Sequence, residues 1–451
     1  MQRSSYGSER RGLERDDAVT RICGERRLLA VALLLAGGMW LYSQWVMVAA
    51  ESAHYAAMGQ PTDLGDLYPR WYGTRELLLH HRDPYGVEVS REIQVAYYGH
   101  ALDTSGADRG RDEQRFAYPV YVVFFLAPTV KLPFAQAQAV VRWGLAFLGA
   151  ASVLLWLQAL RWRPSLTVTI AVMLLTLSSP PMVQALRLQQ LAVLAAFFLA
   201  GCAALISSEK LFWAGCLLAC ATIKPQLAIL PVLWFLIWVA GDWRQRQRLL
   251  WGFSGTLGLL IVAGETFLLG WLGKFVQGLV AYRHYVVMSS WLDPLLTPGV
   301  AKPIAGVLLG VLLLYCVRWQ NGKADSPVFV GRLAIVLAAA VITLPLLPPF
   351  NQILLLPGVL MTIRYWNVLW GRGRSVRALC CLGAADAAAA WVVAGVLAVV
   401  HVAMPSQSLG SVWDWPFLLT FGLPPIAAGL LIVLLSDTKL KGTTLLSETS
   451  P

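Results

Sequence analysis

Long apolar runs recur along this chain and constrain its fold more than any other feature. Hydrophobic residues make up 57% of the 451 residues and charged residues only 14%, whereas an ordinary soluble domain has about 25% charged residues. The sequence therefore predicts an all-α polytopic membrane protein and excludes a soluble or disordered chain. Runs long enough to cross a membrane lie at about 28–50, 138–160, 165–182, 190–207, 249–272, 300–317, 328–347, 378–403 and 416–436, with shorter runs at 211–223, 225–241 and 350–363.

The distribution of Lys and Arg predicts the topology. No small-residue cleavage site follows the first apolar run, so we expect this run to be retained as a span after an Arg-rich cytoplasmic tail, residues 1–27. Twelve spans over 28–436 leave the later basic clusters and the tail 437–451 on the cytoplasmic side. The net charge of +11 then belongs to the inner face of a multi-pass protein of the inner (plasma) membrane, and it predicts no nucleic-acid partner.

A large outer loop, residues 51–137, follows the first span. Its part from 51 to 115 carries eleven acidic and seven basic residues, although the whole chain is basic. Aromatic and charged residues over 67–79 predict a helix lying on the membrane interface, ended by a turn at Asp83-Pro84-Tyr85-Gly86. Three prolines and a lysine in 116–134 predict a re-entrant element there instead of a full span.

Two carboxylates stand at the membrane mouth of this loop. Either Asp63 or Asp66 is placed to act as a general base toward a hydroxyl group. The alternative is that either aspartate only caps the helix that follows, which composition alone favours.

Further polar residues interrupt the apolar runs on the same outer side. Lys224 before Pro225 predicts a hairpin apex, where the ammonium group either contacts a phosphate or extends to the surface as a structural lysine. Arg187, Gln189 and Gln190 lie at the join of two predicted spans, where they bind a sugar or satisfy helix ends. His284 orients a base, contacts phosphate, or has a structural role only.

Neither a metal nor a cofactor is expected from the sequence. Six of the seven cysteines lie within apolar runs, and none has the spacing of a metal site. There is also no glycine-rich phosphate loop and no Ser/His/Asp signature.

An ordered set of short motifs resembles glycosyltransferase family 87, the polyprenol-phosphate-mannose-dependent mannosyltransferase-like proteins, over roughly residues 28–250. No single motif is specific, but their order and spacing agree with that family. The matching residues are Asp66-Leu67-Tyr68-Pro69-Arg70-Trp71 with Gly73 and Arg75, Asp83-Pro84-Tyr85, Phe116-Ala117-Tyr118-Pro119, Gln189-Gln190, and the Lys210–Trp243 hairpin with Lys224-Pro225.

The resemblance implies a GT-C-like fold and an enzyme that moves a hexose, usually mannose, from a polyprenyl-phosphate donor to a glycan or glycolipid hydroxyl by inverting displacement on the outer face. It implies a bilayer environment and needs neither metal nor cofactor. By that resemblance Asp66 is the base, with Asp63 in reserve. The physical case beside it places the cations Lys224 and Arg187 at the donor phosphate, with His284 orienting Asp66 or contacting the phosphate. We expect the substrate to be bound by Arg70, Tyr118, Gln189 and Gln190.

A different class of function is a transporter or flippase of a lipid-linked or small solute. A transporter predicts repeated halves with broken helices in both, but the Lys224-Pro225 break has no counterpart in the C-terminal half. The large acidic outer loop also favours an enzyme. A non-catalytic assembly factor of the cell envelope is a third hypothesis.

Overall fold

A computed structural model describes residues 23–57, 64–103, 106, 108, 111–285, 289–324, 326–404 and 410–436. Regular structure in these residues is helical throughout and contains no strand. An all-α fold is thus confirmed for the described part of the chain.

The N-terminal part consists of one long helix and three shorter ones. Helix α1 (residues 23–57) contains a π-helical stretch, Tyr42–Met47, and is followed by α2 (Leu67–His80), α3 (Val87–Tyr98) and the short α4 (Val120–Thr129). The helix predicted over 67–79 is therefore confirmed as a helix, while its interfacial position stays a prediction. Gly86 donates its backbone N–H to the Asp83 carbonyl at 3.0 Å, which confirms the predicted turn.

The central part forms the helical core around the site. Pro and Ser residues begin several of these helices, because proline fits the first turn and serine caps it. The helices are α5 (Phe134–Ala159), α6 (Leu166–Leu177), α7 (Pro180–Arg187), α8 (Ala192–Ser207), α9 (Leu211–Ala221), α10 (Pro225–Gly241) and α11 (Trp243–Phe267).

The C-terminal part packs around this core. It consists of α12 (Trp271–Tyr285), α13 (Pro298–Arg318), α14 (Pro327–Thr343), a 3₁₀ turn (Pro349–Leu355) leading into α15 (Leu356–Arg364), α16 (Trp366–Trp370), α17 (Arg374–Ala403), a 3₁₀ turn (Gly410–Asp414), α18 (Trp415–Leu418) and α19 (Leu423–Leu435). The 3₁₀ turn at Pro349–Leu355 contacts α7, α8 and α14, and so a C-terminal segment reaches the centre of the core.

Within the described residues, six helices are long and apolar enough to cross a membrane, and the pair α6 and α7, bent by 58°, would add a seventh. The multi-pass character is thus supported, and the count of twelve spans stays a prediction. Five apolar segments are only 10–17 residues long. The predicted span 165–182 is divided in the structure, because α6 ends at Leu177 and the prolines at 180 and 181 begin the separate helix α7.

Helices α9 and α11 approach each other closely through two glycines. A Cβ atom built on Gly252 would lie 2.0 Å from the Phe212 carbonyl oxygen, and one built on Gly215 would lie 2.0 Å from that of Leu249. Small residues permit such backbone approach between apolar helices. This contact fixes the hairpin of α9 and α10, whose apex carries Lys224.

Candidate active site

Asp66 occupies the N-cap position of α2, but its side chain makes no capping hydrogen bond. The carboxylate instead accepts a hydrogen bond from Nε2 of Gln190. Gly65, with a φ of +56°, turns the chain just before it, a conformation that glycine adopts at low cost. The capping explanation is therefore wrong for Asp66, because its side chain points toward the junction of α7 and α8.

Gln190 joins the two charged groups of the site. Its Nε2 donates to Oδ2 of Asp66, and its Oε1 accepts a hydrogen bond from Nζ of Lys224 at 3.0 Å. Its side chain is almost completely buried, with a relative exposure of 2%. The amide has one donor end and one acceptor end, so its orientation matches an anion on one side and a cation on the other.

Lys224 lies at the apex between α9 and α10 and is only 4% exposed. Its Nζ also faces Oδ1 of Asn351 at 3.5 Å and lies 4.7 Å from the centroid of the Phe350 ring. A surface role for this lysine is therefore wrong, because an extended, solvated ammonium group would not be buried among these partners. Lys224 also interacts electrostatically with Asp66 and Arg70.

Arg70 brings a second cation to the same place. It lies one turn after Asp66 on α2, and its guanidinium carbon stands 4.5 Å from the centroid of the Tyr118 ring. Tyr118 is buried, and its backbone carbonyl accepts a hydrogen bond from the Tyr85 hydroxyl at 2.6 Å. The Arg70 contact packs the segment after residue 115 against the start of α2, and the Tyr85 contact packs it against the turn that follows α2.

Asp112 supplies a second carboxylate near Asp66. Solvent reaches its side chain, yet the surrounding protein desolvates it enough to raise its pKa, and the charge of Asp66 adds to this shift while that of Arg70 opposes it. Its carboxylate accepts hydrogen bonds from the backbone N–H of Gln114 at 3.1 Å and from its side chain at 3.3 Å. Asp66 thus interacts electrostatically with Asp112 and Lys224, and Arg70 interacts with the same two groups.

Arg187 and Gln189 adjoin this group, but their polar atoms contact protein. Arg187 forms an ion pair with Glu51 of α1 through Nε at 2.9 Å and through Nη2. Gln189 is fully buried with a φ of +47°, donates to the Leu186 carbonyl at 2.9 Å and accepts from Gln138 at 3.0 Å. Their predicted contacts with phosphate and sugar stay predictions.

The structure describes the side chain of neither Asp63 nor His284, the other two predicted catalytic residues. Asp63 lies outside the described residues. His284 lies in the last turn of α12, and the structure describes its backbone but not its side chain.

Sequence reasoning missed Asp112, Asn351 and Gln352. The Oε1 atom of Gln352 is buried and has no hydrogen-bond partner among the described residues. Asn351 is 3% exposed and donates to the Leu346 carbonyl at 3.2 Å while its oxygen faces Lys224. The available signal was the Pro-Pro-Phe-Asn-Gln segment at 348–352, which places two amides inside an apolar run.

The geometry suits transfer of a group between a hydroxyl and an anionic leaving group. A carboxylate can accept a proton from the hydroxyl, and a buried cation can stabilise negative charge as it develops. Within the described part of the chain, no three His, Cys, Asp or Glu side chains are grouped as metal ligands.

Comparison with known families gives the class of enzyme. The family model of glycosyltransferase family 87 matches residues 116–342, half of the chain, whereas the sequence motifs indicated about 28–250. Tyr118, Gln190 and Lys224 lie inside the match, while Asp66 and Arg70 precede it. No curated protein and no solved structure matched the chain. The match favours the enzyme hypothesis over a transporter: this chain belongs to glycosyltransferase family 87 and is a membrane glycosyltransferase.

Proposed function

We propose that this enzyme transfers a hexose, mannose by analogy with its family, from a polyprenyl-phosphate donor to a hydroxyl of an envelope glycan or glycolipid on the outer face of the plasma membrane. The observation that carries this proposal is the Gln190 amide, which links the Asp66 carboxylate to the Lys224 ammonium group. A single displacement at a sugar carbon needs a base near the attacking oxygen and a cation near the leaving phosphate, and Gln190 holds such a pair one amide group apart.

Lys224 receives the donor phosphate in this proposal. A polyprenyl chain stays in the bilayer, so its phosphate lies at the depth of a hairpin apex between short apolar helices. The Lys224 ammonium group is buried beside Phe350 and Asn351, where its charge acts more strongly than in water. Arg70 interacts electrostatically with Lys224 and adds a second positive charge.

Asp66 accepts the proton of the acceptor hydroxyl. The acceptor oxygen forms a bond to the anomeric carbon as the bond from that carbon to the phosphate oxygen breaks. The proton passes to Asp66, and the polyprenyl phosphate leaves with its negative charge stabilised by Lys224. One displacement inverts the anomeric configuration, by the same geometric logic as inverting hydrolases.

The topology supports an outer-face site. The predicted cytoplasmic clusters at 161–163 and 244–248 lie at the far ends of α5 and α11, away from the apex at Lys224. A lipid-phosphate donor needs no cytoplasmic nucleotide, which suits that location.

The first test measures transfer of labelled sugar from a polyprenyl-phosphate donor to an acceptor extract by purified enzyme. Asp66→Asn should lower kcat about 10²- to 10⁴-fold, because general-base catalysis contributes that much. The matched control is Asp242→Asn, since Asp242 caps α11 through the Gln245 N–H at 3.4 Å and lies at the opposite end of α10 from Lys224. Wild-type kcat in Asp66→Asn, with the control also active, would exclude Asp66 as the base.

A second test addresses the donor phosphate. Lys224→Met should raise KM for the donor and lower kcat, whereas Lys210→Met should change neither, because Lys210 is an exposed residue at the start of α9. An unchanged KM and kcat in folded Lys224→Met would refute the phosphate contact.

A further inference from the structure

A cavity lies at the end of the helical core opposite to the Asp66 and Lys224 site. It has a volume of about 710 Å³ and lies among the C-terminal ends of α5 and α8 and the start of α6. Helix α8 begins just after Gln190 and ends at Ser207, which lines the cavity. Sixteen helical residues span about 24 Å, so this cavity is separated from the Asp66 and Lys224 site by most of the thickness of a membrane.

The wall of the cavity combines cations with hydrogen-bonding and apolar groups. Arg161 and Arg163 are both exposed, and the described lining residues contain no acidic side chain. Ser207 and Ser208 line one side, and Leu154 and Leu157 line the part toward the core. The wall therefore has positive and hydrogen-bonding groups on one side and apolar groups on the other.

Local structure holds the arginines at this rim. Arg161 has a φ of +50°, a region that non-glycine residues rarely adopt, and its guanidinium group donates to the Ser207 carbonyl at 3.4 Å. Gln158 donates to the Ser208 hydroxyl at 3.2 Å, which joins the ends of α5 and α8. Trp162, between the two arginines, packs partly against the core, as aromatic residues do at a membrane interface.

We propose that this cavity binds the headgroup of an anionic phospholipid of the cytoplasmic leaflet. Basic pockets between membrane helices on that side recognise such headgroups, and Arg can bind a phosphate through two parallel hydrogen bonds. The positive-inside rule predicts that the 161–163 cluster faces the cytoplasm. The site is separate from the transferase site, so lipid retention is a measurement independent of catalysis.

The test compares binding of dioleoylphosphatidylglycerol and dioleoylphosphatidylcholine to the purified full-length protein by native mass spectrometry. Each arginine near a membrane surface contributes about a fivefold factor, roughly 1 kcal/mol, and so the double change Arg161→Gln with Arg163→Gln should weaken phosphatidylglycerol binding about thirtyfold. The matched control is Arg244→Gln with Arg248→Gln, since these exposed arginines of α11 belong to a basic cluster predicted on the same face but do not line the cavity.

Two further measurements decide the remaining outcomes. Ser208→Trp changes an exposed rim residue and should block the cavity without removing charge, so it tests the site even if the double arginine variant does not fold. An inorganic phosphate titration distinguishes a lipid from a free phosphate. The proposal is overturned if the two lipids bind equally, if both the double variant and Ser208→Trp retain wild-type lipid affinity, or if inorganic phosphate displaces phosphatidylglycerol at millimolar concentration.

Discussion

Replacing Gln190 by methionine tests the link between Asp66 and Lys224 most directly. Methionine has nearly the same length and volume, so packing is preserved while both hydrogen bonds are lost. Each hydrogen bond to a charged group contributes about 1.5–3 kcal/mol, and the two bonds together predict a stability loss of about 3 kcal/mol or more. Among the described residues, Lys224 would retain only Asn351, at 3.5 Å, as a hydrogen-bond partner.

The loss of alignment should affect catalysis more than folding. Without the amide, neither the carboxylate nor the ammonium group is held at its angle to the substrate, and a displacement of about 1 Å lowers rates by about 100-fold. Sugar transfer by purified enzyme gives kcat and KM, and thermal unfolding in the same detergent gives Tm. We expect both a lower Tm and a lower kcat.

Gln94→Met is the matched control. Gln94 is also buried, and its amide bonds the Glu113 carbonyl at 3.0 Å and the Leu102 N–H at 3.1 Å, which are neutral backbone groups. It should lower Tm without a comparable loss of kcat. The reasoning is refuted if folded Gln190→Met transfers sugar at the wild-type rate, or if both glutamine variants lose activity equally.

Three further predictions concern the surrounding structure. Arg82 lowers the pKa of the Glu92 carboxyl below its ordinary value of 4.5, so Glu92 stabilises the fold above pH 4.5. This contribution is lost as pH falls through the lower pKa of the folded state. The Tm difference between wild type and Glu92→Gln should therefore disappear at that acidic pH, and a constant difference would contradict the pairing. Gly252→Val should separate α11 from the Phe212 carbonyl and lower the free energy of unfolding by about 3 kcal/mol through overpacking, which is measured as a lower Tm; an unchanged Tm would contradict the close approach. A double-mutant cycle of Arg187→Gln and Glu51→Gln, read as the free energy of unfolding, should give a coupling of about 1 kcal/mol or more, and additive effects would show that this ion pair contributes no stability.

Local patterns in the sequence were enough to predict much of the helical framework. The predicted hairpin arms at 211–223 and 225–241 correspond to Leu211–Ala221 and Pro225–Gly241, because the proline sets the break and the apolar runs set the lengths. The helix at Leu67–His80 followed in the same way from its aromatic and charged residues.

The site needed information that no local pattern contains. Gln190 meets Asp66 across 124 positions of the chain, and Lys224 meets Asn351 across 127. An amide inside an apolar run gives no local signal of which charge it will face. The capping and surface explanations for Asp66 and Lys224 were also reasonable from composition, and only tertiary contacts exclude them.

The uncharged link at Gln190 has a consequence for the arrangement of charges in the enzyme before substrate binds. Had Asp66 and Lys224 met directly, each would have satisfied the other, and the donor phosphate of the proposed reaction would have had to break that pair. A neutral spacer keeps the opposite charges apart yet aligned, and it carries no ionisable proton of its own across the physiological range. In the proposed mechanism, the base and the cation are therefore already in position before the substrates bind.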